Sequence, residues 1–241
     1  MAERLKSGMT QIISEIQSGF LRNRSIHNNI RLVLDLLDYS NLIEDDGFIF
    51  FLDFFKAFDT VEHPFMLKTL DRFGFGGKFV KVVGMLYNDI NSSVSLPHGT
   101  SSRFNVSRGI RQGCPCSPLL FIFVAEVLAI VVKNNPDIEP LNVLGSPLVI
   151  SQLADDTTLF LKNSDQIPKA LRVISSFSIA SGLHLNMKKC ELLPIHEHPI
   201  GILHNIPLRD EVKYLGIVIS KDLKVREKSN IKNNVERVRQ F

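Results

Sequence analysis

The chain has 241 residues, 44% of them apolar, enough for one large domain or two small ones with a substantial core. Its three cysteines, Cys114, Cys116 and Cys190, are too few and too odd in number for a disulfide framework. With no secretory leader, they point to a reducing, intracellular setting, nuclear or cytoplasmic, and exclude a secreted protein.

The net charge of +3 is unevenly spread. Residues 1–31 carry five basic and two acidic side chains and residues 221–241 carry seven and three, which leaves the centre net negative. Basic ends around an acidic centre suit a polyanion gripped beside a metal site. Two solvated, amphipathic terminal helices would account for the same charges.

Leu5, Met9, Ile12, Ile13 and Ile16 recur at helical spacing until Ser18-Gly19 interrupts them. A second helix is predicted from near Ser25, carrying Ile30, Val33, Leu34 and Leu37. The acidic cluster Glu44-Asp45-Asp46-Gly47 turns the chain into a strand, Phe48 to Asp53, whose apolar residues do not alternate. Such a run suits a strand covered on both faces. Pro64 to Phe73 is helical, with Pro64 suited to a first turn, and Gly74, Gly76 and Gly77 end it. Phe79, Val82, Val83, Leu86, Tyr87 and Ile90 mark a further amphipathic helix.

Short strands near 93–96 and 103–106 lead to the polar turn SRGIRQGCPCSP. The apolar run Pro118 to Val132 is interrupted by Glu126 and is too short to cross a bilayer, so it reads as a buried helix, with no membrane role expected. Leu148-Val149-Ile150 and Leu159-Phe160-Leu161 flank the pair Asp155-Asp156, which reads as the tip of a β-hairpin. A helix near 166–181 stops at Ser181-Gly182. Strands are predicted at 189–194 and from Val212 to Ile219, followed by a basic helix. Helices and antiparallel hairpins mix without strict alternation, so the class is α+β.

Adjacent carboxylates at a tight turn repel each other, and burial adds to the cost unless something positive compensates. A divalent cation is the simplest compensator. Asp53, at the end of its own apolar run, supplies another carboxylate, and three on neighbouring strands could hold two ions for phosphoryl or nucleotidyl transfer. No Cys/His set stands at zinc spacing. After Asp53, the turn Phe54-Phe55-Lys56-Ala57-Phe58-Asp59 could offer backbone N–H groups to phosphate oxygens. Phe58 could lie against the sugar of a nucleotide or simply pack in the core. Asp59 reads as a cap or ion-pair partner of nearby backbone.

In the order found here, these elements resemble the reverse transcriptases of non-LTR (LINE-type) retrotransposons. FFLDFFKAFDTVEHPFMLKTL looks like the first palm motif and the helix behind it. RGIRQGCPCSPLLFIFVAEVL looks like the second, usually RQGxPLSP, and LADDTTLFL like the third, usually FADD. SGLHLNMKKC and VKYLGIVI look like the fourth and fifth, and QSGFLRNRSIHNNI like a fingers segment upstream of the palm. The resemblance covers nearly the whole chain. It implies a palm with an antiparallel sheet and helices on one face, plus partial helical fingers. The divisions would be 1–47 for fingers, 48–220 for palm, and 221–241 for the start of a thumb or connecting helix.

The resemblance further implies an RNA-directed DNA polymerase that extends a DNA primer on an RNA template with deoxynucleoside triphosphates. Asp53, Asp155 and Asp156, with the carbonyl of Phe54, would hold two Mg²⁺, with Mn²⁺ as a substitute. Phe54, Phe55, Lys56, Ala57 and Phe58 would line the nucleotide site, Phe58 as a steric gate against a ribose 2′-OH. Gln112 and Gly113 would lie near the nucleotide and template, with Arg111 steadying phosphate or a nearby acid. Lys189 would protonate the leaving pyrophosphate, or be a surface lysine beside Lys188. Tyr214, Leu215 and Gly216, in a strand running to Ile217, would form the primer grip through backbone and ring.

Two positions depart from the usual motifs, Cys116 for leucine and Leu153 for an aromatic residue, both apolar exchanges. A fingers segment like RPISL is expected before residue 1 and a thumb after Phe241, so the chain reads as a piece of a longer polyprotein. Two alternatives stay open: a catalytically impaired remnant that only binds nucleic acid, and a two-metal nuclease.

Overall fold

The computed structural model describes residues 1–239; Gln240 and Phe241, the last two of the segment assigned to a thumb, lie outside the described residues. Two helices come first, α1 (Ala2–Ile12) and α2 (Ile26–Asp38). Ser25 starts α2 by accepting the N–H of His27 on its side chain. Strand β1 (Phe48–Leu52) follows, then the short α3 (Ala57–Thr60), α4 (His63–Arg72) and α5 (Gly77–Tyr87). An exposed double hairpin is built from β2 (Asn91–Ser92), β3 (Ser95–Leu96), β4 (Gly99–Thr100) and β5 (Phe104–Asn105).

The long α6 (Ser117–Lys133) leads to a hairpin of β6 (Leu141–Val143) and β7 (Ser146–Leu148). A second hairpin follows, β8 (Ile150–Leu153) and β9 (Asp156–Leu161), and then α7 (Gln166–Ser181) and β10 (Glu191–Pro194). Two further hairpins, β11 (Gly201–Leu203) with β12 (Ile206–Leu208) and β13 (Glu211–Tyr214) with β14 (Ile217–Ser220), precede α8 (Leu223–Arg239).

The central sheet has the order β11-β12-β10-β1-β9-β8 and is antiparallel except between β10 and β12. Phe48, Phe50 and Leu52 face one core, shared with α1, α4, α5, α6 and α7. Ile49 and Phe51 face a second, formed with α2 and the β13–β14 hairpin. Burial on both sides is why the run Phe48–Leu52 carries no polar residue. Each such phenylalanine removed from water contributes about 2 kcal/mol. The main helical layer thus lies on one face, as the palm resemblance implies, while α2 and the hairpin close the other.

Several elements differ from the sequence expectation. Ile16 and Ile90 lie outside α1 and α5, which end at Ile12 and Tyr87. The expected strand Val212 to Ile219 is a hairpin, because Leu215 (φ 49°) and Gly216 (φ 88°) form a two-residue turn of the kind that reverses a twisted strand. The hairpins at 141–148 and 201–208 turn in the same way, at Leu144-Gly145 and His204-Asn205. The side chain of Asn230 docks α8 on the β13–β14 hairpin by holding both Val218 N–H and C=O (2.8 and 3.0 Å). Among the described residues no helix is long and apolar enough to cross a membrane.

Candidate active site

Strand register brings the acidic residues together. β1 pairs β9 up to Leu52↔Thr157, so Asp53, the next residue, stands opposite Asp156, the first residue of β9. Opposed residues of antiparallel strands have Cα atoms about 4.5–5.5 Å apart. On the other side of β9, Leu153↔Asp156 closes a two-residue turn of Ala154 and Asp155, with Ala154 at φ 56°. The expected hairpin is there, but its tip is Ala154-Asp155, and Asp156 already belongs to the strand. Asp53 and Asp156 line a common cleft with Thr157, Lys189, Tyr214 and Leu215.

Burial raises the Asp155 carboxyl above its ordinary range, and the charge of Asp53 adds to the shift. Burial, then Asp155, then Asp53, push Asp156 up to about 6. Behind them, buried Cys190 lies against the Asp53 backbone: Asp53 N–H points at its Sγ (3.5 Å), and burial pushes the thiol up to about 11. Among the described residues no lysine, arginine or histidine forms an ion pair with any of the three carboxylates. Nor, among these residues, do three His, Cys, Asp or Glu side chains stand together as a group that could hold a metal ion. The donor chemistry nevertheless fits a hard divalent ion: oxygen ligands, mutually repelling, with no cationic side chain paired to them among the described residues.

The segment after Asp53 departs in part from expectation. Phe55 N–H is taken by His184 O (2.9 Å) and Asn186 N–H by Asp53 O (2.8 Å), so the turn does not present an unbroken row of free donors. Antiparallel bridging of Phe54 to Leu185 explains this. Phe54 is buried, while Phe55 is exposed with the Lys56 ammonium 5.7 Å from its ring centre. Lys56 itself adopts φ 45° and leads into α3, which buries Ala57. Phe58 is half-buried, stacked on Phe121 at 4.2 Å and met edge-on by Phe20 at 6.5 Å. Among the described residues Asp59 neither caps nor forms an ion pair; its Oδ1 accepts the side-chain N–H of Gln112 (2.9 Å), which ties the second motif to the first.

Arg111 is exposed and donates to Leu86 O (3.4 Å), and among the described residues it forms no ion pair with an acid. Gly113 adopts φ 86° beside open space, so its conformation rather than crowding requires glycine. Lys189 is exposed at the cleft, apart from the buried core. Tyr214 is buried against Phe51 (5.0 Å), so its ring faces the second core, while Leu215 is half-buried and Gly216 exposed. The Tyr214 ring thus serves the core.

Two positioning side chains, His63 inside the first motif and Gln17 at the head of QSGFLRNRSIHNNI, were given no role by the sequence. His63 Nε2 lies 2.7 Å from Gly109 O and its ring packs on Tyr87, which pins the RGIRQG turn to α4. Gln17, fully buried, bonds to Ala154 beside Asp155. An isolated histidine or glutamine has no periodicity to flag it.

With this geometry in hand, comparison with known proteins is informative. Residues 1–219 match the family model described as reverse transcriptase (RNA-dependent DNA polymerase). The chain is 27% identical over 224 residues to the transposon TX1 uncharacterized 149 kDa protein of Xenopus laevis, covering 91% of this chain and 17% of that one. It is 28% identical over 225 residues to the retrovirus-related Pol polyprotein from the type-2 retrotransposable element R2DM of Drosophila melanogaster, covering 87% and 21%. The chain thus spans about a fifth of the length of these relatives. Among solved structures, telomerase from Candida tropicalis in complex with a TWJ fragment of telomeric RNA aligns with a TM-score of 0.67 at 11% identity, over 91% of this chain and 35% of that one. The corresponding Candida albicans complex gives 0.65 at 13%, over 91% and 36%. At these identities the likeness concerns the fold, that of a palm-type polymerase.

Proposed function

Because the chain belongs to the reverse transcriptase (RNA-dependent DNA polymerase) family, we propose that it is the polymerase portion of a retrotransposon protein, extending a DNA primer on an RNA template with deoxynucleoside triphosphates. The observation that carries this reading is the register that sets Asp53 opposite Asp156, one residue from Asp155, with no cationic side chain paired to any of them among the described residues. In this reading residues 1–47 are fingers, 48–220 palm, and 221–241 the entry to a thumb.

Asp53, Asp155 and Asp156, with the Phe54 carbonyl, are the groups that would hold two divalent ions. Bound there, Mg²⁺ or Mn²⁺ would supply Lewis acidity to the primer 3′-hydroxyl and the triphosphate. The chain's own contribution is placement. Phe58, braced on Phe121, forms a wall that a ribose 2′-OH would strike and a deoxyribose would clear. Lys56, Ala57 and Phe55 lie beside that wall. Gln112, held by Asp59, sets the neighbouring Gly113 turn next to the incoming base. Lys189 Nζ, at the cleft, can give a proton to the departing pyrophosphate. Tyr214 and Leu215 border the same cleft, and the backbone of Tyr214-Leu215-Gly216 would hold the primer end.

Primer extension with an RNA template, a DNA primer, deoxynucleotides and Mg²⁺ tests the reading. Extension above an Asp155→Ala background is expected. Template binding without extension would instead assign the chain to nucleic-acid binding without turnover.

A further inference from the structure

A single buried side chain holds the acidic turn from outside the palm. Gln17 lies between α1 and α2, completely shielded from solvent. Its Oε1 accepts the N–H of Ala154 (2.8 Å) and of Gly19 (2.8 Å), and its Nε2 donates to Ala154 O (3.3 Å). The N–H of Ala154 belongs to the peptide entering the turn, and its C=O to the peptide leading into Asp155. One carboxamide therefore fixes both peptides around a residue held at φ 56°, a conformation that L-residues resist. No backbone partner is recorded for the Ala154 N–H among the described residues.

The surroundings hold Gln17 in turn. Segment 16–18 runs along the free edge of β8: Gln152 N–H donates to Ile16 O and Ser18 N–H to Gln152 O, both at 2.8 Å. The Arg24 guanidinium gathers the carbonyls of Ile13 (2.9 Å), Ser14 and Gln17 (2.6 Å). Ser14 donates from its backbone and hydroxyl to buried Glu126 of α6 (3.2 and 3.1 Å). Gly19 lets the loop come this close, since a Cβ there would lie 2.6 Å from Ala154 N. The next residue, Phe20, meets Phe58 edge-on. One loop thus touches the acidic turn and the aromatic wall together.

We propose that Gln17 is a positioning residue for the Asp155-Asp156 carboxylates, acting through the Ala154 peptides it clamps. Its consequence for metal binding rests on the polymerase reading given above; the clamp itself does not. Only a carboxamide serves. Glutamate keeps the acceptor but loses the donor to Ala154 O and brings another negative charge to the turn. Leucine fills the space but leaves two buried N–H groups unpartnered.

The test combines amide hydrogen exchange, followed by NMR, with Mn²⁺ titration followed by water-proton relaxation, on the unaltered chain, Gln17→Leu and Gln17→Glu. In the unaltered chain the Ala154 amide is expected to exchange slowly; rapid exchange would overturn the clamp whatever the variants do. Both variants are expected to lose Ala154 protection while Phe160, in the centre of the sheet, keeps its own. Both are also expected to bind Mn²⁺ about 10-fold or more weakly, the scale on which groups that orient metal ligands act. Unchanged Ala154 protection in either folded variant overturns the proposal, as does unchanged Mn²⁺ affinity alongside lost protection. Mn²⁺ failing to bind even the unaltered chain, with Ala154 protection still dependent on Gln17, would sink the metal reading and leave the clamp standing.

Discussion

In the proposed polymerase, Phe58 would serve packing and selection at once. Its ring is half-buried and stacked on Phe121, so it has little freedom to move aside for a bulkier sugar. Phe58→Ala is expected to raise the ratio of ribo- to deoxynucleotide incorporation, read by direct competition of the two triphosphates. An unchanged ratio would remove the gate role. The same change is expected to lower stability by about 2 kcal/mol, below the fully buried range because the ring is partly exposed. Glu126 offers a cleaner test of electrostatics. It is buried in α6, and burial raises its carboxyl above the usual range, while the Ser14 hydrogen bonds pull the other way. The folded state therefore holds the proton more tightly than the unfolded state. Its contribution to stability is complete below the unfolded value and is lost as pH rises through the raised folded value. Glu126→Gln should flatten that part of the stability–pH curve in urea unfolding and be the more stable form at neutral pH. A curve parallel to that of the unaltered chain would count against the assignment.

Between elements, the decisive contacts are backbone approaches that side chains would block. Gly109 adopts φ 89° with its Cα facing the carbonyl of Asp59, where a Cβ would lie only 2.7 Å from the oxygen. Gly113, at φ 86°, faces open space. Gly113→Ala should therefore cost about 1 kcal/mol, for conformation alone, and Gly109→Ala about 3 kcal/mol or more, for conformation and crowding together. Equal losses in chemical denaturation would refute the close packing of the RGIRQG turn on the first motif.

This scale also shows what was readable in the sequence. The unbroken run Phe48–Leu52 announced a strand buried on both faces, and Asp155-Asp156 between apolar triplets announced a hairpin. Both follow from patterns several residues long. The hairpins at 141–148 and 201–208 were not readable, because three-residue strands give no periodicity and His204-Asn205 is an unusual turn pair. Val212 to Ile219 resembled one strand since only Gly216 marks its reversal. The positions of Asp53, Asp155 and Asp156 were recognisable from motif order. The burial of the Tyr214 ring and the contacts of Gln17 were not, because they depend on which distant segments cover the sheet.

Across the whole molecule, helices α1 and α2 and their connecting loop, α6 and the β8–β9 hairpin converge on one acidic turn. Among the described residues no cationic side chain pairs with the charges there, and burial of Asp155 and Asp156 opposes their ionisation. A divalent ion that binds only the folded chain should stabilise it by an amount that grows with concentration, about 2.7 kcal/mol at a hundred times its dissociation constant. Mg²⁺ is thus expected to raise the melting temperature, chelation to reverse the rise, and Asp53→Asn to abolish most of it. A melting temperature indifferent to Mg²⁺ would contradict the metal assignment.

The central claim, that these three carboxylates carry nucleotidyl transfer, is tested most directly by single-nucleotide addition. The unaltered chain, Asp53→Asn and Asp155→Asn would each be given a DNA primer on an RNA template, one complementary deoxynucleotide and a series of Mn²⁺ concentrations. Saturable, metal-dependent addition is predicted for the unaltered chain, with the rate reduced about a hundredfold or more in both variants. Equal rates in all three, or addition indifferent to the metal, would contradict it.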